Sequence, residues 1–343
     1  MLDAGRLNDL AGRFPSLRVA VVGDFFLDRY LLIDPARAET SIETGLPVHN
    51  VVDVRPQPGA AGTIVNNLVA LGVGTIHAVG FGGDDGEGYE LRRALAALPG
   101  VRLDHFATDP SRRTPVYCKP LIIEPGQPPR ELNRLDSKNW DPTPPALQAA
   151  LAARVADLAD RVDAILLMDQ VDRPETGVVT APVRAAALAA QAARPGLLVL
   201  ADGRRGLGDF PPLAWKMNAA ELAAMTGAGP SEVDLPAVRH RAAALAGRNG
   251  RPVFVTLAER GIVGAAPGGP AEHAPAHPVR GPIDVVGAGD AVTASLAAAL
   301  AAGATLAEAM ALAMAAASVV VHQLGTTGTA TPDAIAELLG GAA

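Results

Sequence analysis

Five short apolar runs, with helical patterns between them, constrain this chain most. They are Leu17 to Gly23, Thr75 to Gly80, Ala164 to Met168, Gly196 to Ala201 and Pro252 to Leu257. Near-continuous apolar character over so few residues is what a strand buried on both faces requires. Between them lie Ile64 to Gly72, Tyr89 to Leu98, Pro144 to Arg161 and Pro174 to Arg194, which read as helices. Strand, loop and helix repeated in this order predict an α/β fold with a mostly parallel sheet and right-handed crossovers. Ligands of such sheets sit beyond the C-terminal ends of the strands. Asp28, in the stretch Gly23 to Asp28 that follows the first run, and Asp169, which ends the third, are therefore expected at a cleft.

The chain has 343 residues, 49% hydrophobic and 19% charged, which is globular composition. A net charge of −7 speaks against an extended nucleic-acid surface. Cys118 is the single cysteine, which excludes an intramolecular disulfide and a multi-cysteine metal site and fits a reducing, cytoplasmic setting. Met1 to Arg18 reads as a polar helical segment without the apolar core of a leader. Ala309 to Val321 is too short to span a bilayer and reads as a buried helix, so no membrane partner is expected. Lysine stands only at 119, 138 and 216, which reads as coding bias towards arginine.

The stretch with the most chemistry is Asp284-Val285-Val286-Gly287-Ala288-Gly289-Asp290. A strand-like pair breaks into Gly-Ala-Gly and opens into the helical run Ala291 to Gly303. Small residues let backbone amides come close to a bound group. The first turn of a helix leaves those amides unpaired, and the macrodipole favours negative charge there, which makes an anion site. Asp290 puts a carboxylate at the same point. It reads either as an N-cap or as a general base that takes a proton from a hydroxyl attacking a phosphoryl group held by the amides.

These seven residues resemble the D-T-x-G-A-G-D signature of the ribokinase/PfkB family of carbohydrate kinases, with Val285 in place of the Thr. The resemblance extends from about Leu17 to Leu338. It includes a G-x-x-x-x-D at Gly23 to Asp28, an N-x-x-E at Asn218 to Glu221, and part of a T-x-G-x-x-G at Thr256 to Gly261, where Ala258 replaces the first Gly. The family's usual Gly-Gly, and its Asn three residues on, are Gly59-Ala60 and Thr63 here. These departures put the usual acceptor in question. Gly23 to Tyr30 and Leu324 to Thr326 are most similar to the heptose-phosphate kinase branch.

The resemblance implies one ribokinase-like domain over 1–343, with three α/β/α layers and a small projecting β lid from about 40–56 and 112–136. It implies ATP-dependent phosphorylation of a sugar or sugar-phosphate hydroxyl, with Asp290 as base and Gly287, Ala288 and Gly289 as anion hole. Acceptor contacts are then expected at Asp24, Asp28, Gly59, Ala60, Thr63, Arg134 and Asp169. Nucleotide contacts are expected at Asn218, Thr256, Glu259, Gly261, Met314, Ala315 and Gln323. Glu221 would hold Mg2+ through water, and Asp284 a monovalent cation such as K+. By residue type alone, Asn218 and Glu221 also fit a helix capping box, Asp28 a turn, and Arg134 a surface ion pair. A homodimer through the lid is expected, because exposed lid strands pair readily. A nucleoside kinase and a non-catalytic sensor that binds sugar or nucleotide on the same fold remain alternatives. A dinucleotide-dependent oxidoreductase is disfavoured, because the first strand leads into Gly-Asp-Phe-Phe-Leu-Asp and not G-x-G-x-x-G.

Overall fold

The computed structural model describes residues 2–227 and 234–340. Its main sheet runs, from one edge, 272–274, 262–265, 253–256, 214–218, 198–203, 164–169, 18–23, 75–83 and 101–102. The pairs from 253–256 through 101–102 are parallel, and only 262–265 and 272–274 join antiparallel. The five apolar runs supply five of its inner strands; Ala214–Asn218, also in the interior, was read only as the entry to a helix.

Alternate residues of each strand feed two cores. Val19 and Val21, with Ala164 and Leu166, face the helices Ala61–Leu71, Ala288–Ala301 and Leu306–Val321. Ala20 and Val22, with Ile165 and Leu167, face Pro145–Leu158, Ala181–Ala193 and Leu235–Asn249. Side chains pointing to opposite faces with a period of two produce this division. The result is three layers, α/β/α. Among the described residues no helix is long and apolar enough to cross a membrane.

The lid is a second sheet, ordered 130–131, 116–122, 25–33 and 51–60, with 135–137 also paired to 116–122. Its central strand corrects the sequence reading. Phe25–Ile33 was expected as a loop in its first part and is a nine-residue strand, separated from the core strand Arg18–Gly23 by Asp24 alone. Alternation of Phe25 and Leu27 into the core with Phe26, Asp28 and Tyr30 on the other face suits a ribbon that is apolar on one side. The region 40–50 contributes only a small hairpin, Glu39–Thr40 with Pro47–Val48.

Candidate active site

The helix Ala288–Ala301 starts from Gly287, whose φ of 82° is left-handed, a conformation that favours glycine. Gly287 is the N-cap and no side chain caps the helix. Asp290 is the third helical residue, so the capping role that its residue type allowed is not the one it takes. Of the three residues expected to form the anion hole, Ala288 directs its N–H to the Val285 carbonyl at 3.2 Å, so the turn offers ligands chiefly its neighbours' amides.

Asp290 is half-buried. Burial, and then the nearby Asp202 carboxylate, push its pKa up to about 7, against the pull of the Lys216 ammonium; Asp28 across the cleft adds to the rise. A carboxylate poised near neutrality is suited to accept a proton at physiological pH.

Below this turn lies a buried polar group that the sequence reading did not single out. Lys216 Nζ bonds Asp202 Oδ2 at 2.8 Å, and the Thr293 hydroxyl donates to the same oxygen at 2.8 Å. A Cβ on Gly289 would stand 3.3 Å from Lys216 Nζ, so the ammonium lies directly against the glycine backbone. Two residues on, Asn218 and Glu221 form a full capping box: Asn218 Oδ1 accepts from the Glu221 amide at 2.9 Å and Glu221 Oε2 from the Asn218 amide at 2.7 Å. Glu221 still acts on Lys216 electrostatically, and burial holds its own carboxyl above the usual range. Thr256 pairs in register with Asn218 on the adjacent strand.

The lid supplies the opposite wall. Asp28 is buried and pairs with Lys119 at 3.3 Å, and Lys119 also reaches the Tyr30 hydroxyl at 3.3 Å. Gly59 sits against Asp28, where a Cβ would come within 2.9 Å of the carboxyl carbon. Ala60 has φ 54° and ψ −115°, a backbone shape that glycine adopts freely and alanine does not. Ala258 likewise has φ 52°. Both alanines thus stand where the family pattern has Gly and where the backbone still has a glycine-like shape. Thr63 is buried, and its methyl would meet a Cβ on Gly287 at 3.5 Å, which puts it beside the anion turn.

Asp24, Asp169 and Arg134, expected at the acceptor, each have partners within the protein. The two oxygens of Asp24 accept from the amides of Val178 at 2.7 Å and Gln170 at 2.8 Å. Asp169 is buried and paired with Arg205 at 2.8 Å. The bonds of Asp24 tie residues 170 and 178 to the end of the first strand. Arg134 pairs with Asp136 at 2.7 Å and lies over the Tyr117 ring at 4.4 Å. At the nucleotide end, Met314 and Ala315 are buried on Leu306–Val321. Gln323 is occupied at both side-chain atoms by Thr329. Gly261, with φ 92°, lies so close to the Ala274 carbonyl that no Cβ fits, and Glu259 is exposed on the preceding turn. Asp284 accepts from the amides of Val286 at 3.0 Å and Gly325 at 3.4 Å.

The structure therefore gathers Asp28, Gly59, Ala60, Thr63, Gly287–Asp290, Asn218 and Glu221 at one cleft, and adds Lys119, Lys216, Asp202 and Thr293. A signal for some of these was present: two of the three lysines of an arginine-rich chain, Lys119 and Lys216, make carboxylate pairs beside this cleft. Reading them as coding bias passed over it.

Comparison with known proteins places the arrangement. Residues 19–334 match the description "pfkB family carbohydrate kinase". The chain is 33% identical over 310 residues to the bifunctional protein HldE of Azorhizobium caulinodans, covering 90% of this chain and 61% of that protein. It is also 33% identical to the HldE of Gluconacetobacter diazotrophicus over 95% of this chain and 64% of the relative. This chain thus spans a little under two thirds of the curated relatives it matches. Among solved structures it resembles the ribokinase of Arabidopsis thaliana complexed with ribose and ATP, with TM-score 0.65, 19% identity and 94% of this chain and 98% of that chain covered. It also resembles phosphofructokinase-2 of Escherichia coli in complex with fructose-6-phosphate, with TM-score 0.69, 17% identity and 94% and 98% covered. By the family match over most of its length, the chain belongs to the pfkB family of carbohydrate kinases.

Proposed function

We propose that this protein transfers the γ-phosphoryl group of ATP to a hydroxyl of a sugar phosphate, in the manner of the heptose-phosphate kinases. One observation carries the reading: Asp290 stands in the first turn of a helix that no side chain caps, opposite a lid that presents the buried Asp28. Asp28 and its neighbours orient the acceptor. The hydroxyl oxygen bonds to the γ-phosphorus, the bond to the bridging oxygen breaks, and the hydroxyl proton passes to Asp290. Positioning and electrostatics supply most of the acceleration in such transfers.

The preference for a phosphorylated acceptor rests on the lid. Lys119 and Arg55 lie 4.8 and 4.4 Å from the Tyr30 ring centre, beyond Asp28, and Arg134 flanks Tyr117 on the neighbouring strand. That face carries more cationic groups than a neutral polyol needs, and its Arg and Lys match a phosphate. Asp24 and Asp169 serve as supports behind it. Exposed Ile283, Val285, Val286 and Leu324 form an apolar margin that suits an adenine. Thr256, Glu259, Met314, Ala315 and Gln323 border this end.

Mg2+ fits the donor set. Glu221 keeps Oε1 outside its capping box, and among the described residues no cluster of three or more ligating side chains forms a closed cage. An ion that retains waters and binds phosphate oxygens needs no such cage. When bound, it neutralises charge on the phosphates. A K+ ion would draw on Asp284 and the carbonyls of 324–328. A homodimer through the lid is supported by its edge strand Val51–Ala60, whose free edge carries exposed Val51, Val52 and Val54. A cytoplasmic setting, where ATP is abundant, fits the same reading.

The test is an ATP-consumption screen over sugars, sugar phosphates and nucleosides, with mass spectrometry of the product. Turnover is expected with a sugar phosphate. Turnover confined to nucleosides, or sugar binding by calorimetry without any turnover, refutes the proposal.

A further inference from the structure

The mechanism above leaves one buried charge beside the reaction without a task. Lys216 is 8% exposed, and a buried ammonium is strongly destabilising unless it is compensated. Its compensation is partial: one of its three donors is held by Asp202 at 2.8 Å. Asp202 is itself fixed by the Thr293 hydroxyl at 2.8 Å, from the helix that carries Asp290. Thr293 Oγ1 lies 3.1 Å from the Gly289 carbonyl as well, so the clamp is part of the anion turn. The 3.3 Å between Nζ and the space a Gly289 side chain would fill leaves the ammonium access past the glycine. A compact point charge suits such a gap better than the planar fork of arginine, and this chain, whose basic residues are otherwise arginine except at 119 and 138, has lysine here.

We infer that Lys216 is a catalytic residue, its ammonium contacting the phosphoryl oxygens during transfer, with Asp202 and Thr293 as the residues that position it. The inference rests on the kinase reading. In the transfer step Lys216 keeps its protons. It offsets the charge that builds on the equatorial oxygens while the acceptor's proton goes to Asp290 and ADP leaves. The charged groups facing Asp290 are Asp202, Lys216 and Asp28. Glu221 completes the set around Lys216.

The test compares wild type, Lys216→Met and the double variant Lys216→Met/Asp202→Asn. The double variant removes both buried charges together and so avoids stranding the Asp202 carboxylate. Loss of one preorganised charge stabiliser is expected to lower kcat by about 10²–10³-fold in both variants. ADP affinity should stay within about threefold, while affinity for ADP with aluminium fluoride falls by a factor similar to kcat. The acid limb of kcat/KM should move to higher pH in Lys216→Met, where Asp290 faces Asp202 and Asp28 without the cation, and move back in the double variant. Either of two results overturns the inference: kcat within about threefold of wild type in both variants, or a loss of kcat matched by equal loss of ADP binding. If wild type phosphorylates no acceptor, the kinase reading fails on its own. The aluminium fluoride arm then still judges Lys216, for which unchanged affinity in Lys216→Met is refutation and loss is support.

Discussion

Replacing Asp290 with Asn should make the protein less active and more stable, and the second effect should depend on pH. Burial and Asp202 raise the carboxyl from 3.8 to about 7 in the folded chain. A folded pKa above the unfolded one means that the native state binds the proton more tightly. The native state then pays to ionise, and this cost grows as pH rises from about 4 towards 7 and is constant above. Full burial would make it about 4 kcal/mol, at 1.36 kcal/mol per tenfold in proton affinity. Asp290 is only half-buried, and solvent screening reduces the figure to about 2 kcal/mol. Unfolding entropy of about 2.1 cal/mol/K per residue over 343 residues turns that into a rise in Tm of roughly 3 °C. Calorimetry of both proteins at pH 8 and pH 4 is the assay, with kcat measured alongside. The gain should appear at pH 8 and vanish at pH 4, while kcat falls by about 10²–10⁴-fold. A Tm at pH 8 no higher than wild type, or a gain of equal size at both pH values, refutes the electrostatic account of this residue.

Three further outcomes are expected. Ala60→Gly and Ala258→Gly relieve φ values of 54° and 52°. Strain of about 1–3 kcal/mol less the added freedom of the unfolded chain leaves a net gain near 1 kcal/mol each, read as a rise of about 1–2 °C in calorimetry. Lys119→Met leaves Asp28 buried without its partner and should cost about 3 kcal/mol in urea denaturation, more than half of which Asp28→Asn in the same chain should restore. Glu221→Gln retains the acceptor that its capping box uses, so Tm should not move, while the Mg2+ concentration for half-maximal turnover rises about tenfold.

What the sequence disclosed follows from how local each signal is. The runs such as Leu17 to Gly23 are buried on both faces, so their apolar character is continuous and their parallel pairing could be read directly. The turn Gly287 to Asp290 carries its own chemistry in four adjacent residues. Phe25–Ile33 was missed as a strand because Asp24 interrupts the apolar run, and the pattern cannot tell a loop from a crossing between two sheets. The pairs Lys216–Asp202 and Lys119–Asp28 join residues 14 and 91 positions apart or bridge separate strands, and spacing along the chain does not report such contacts. Thr293 and Asp202 are likewise 91 positions apart. The role of Asp24 was obscured for another reason. A carboxylate at a strand end suits a ligand and a backbone amide equally well, and only the fold shows that two amides claim it.

The direct passage of Arg18–Gly23 into Phe25–Ile33 has a further consequence. The surface proposed to select the acceptor lies on the second sheet, the turn proposed to react opens a helix packed on the main sheet, and at this crossing the two sheets are joined through Asp24 alone. Changes at Tyr30, Arg55 or Lys119 can therefore retune which molecule is admitted while leaving the reactive turn as it is. The two tasks could diverge at different rates along one lineage, and an engineer seeking a new acceptor has a natural seam to work along.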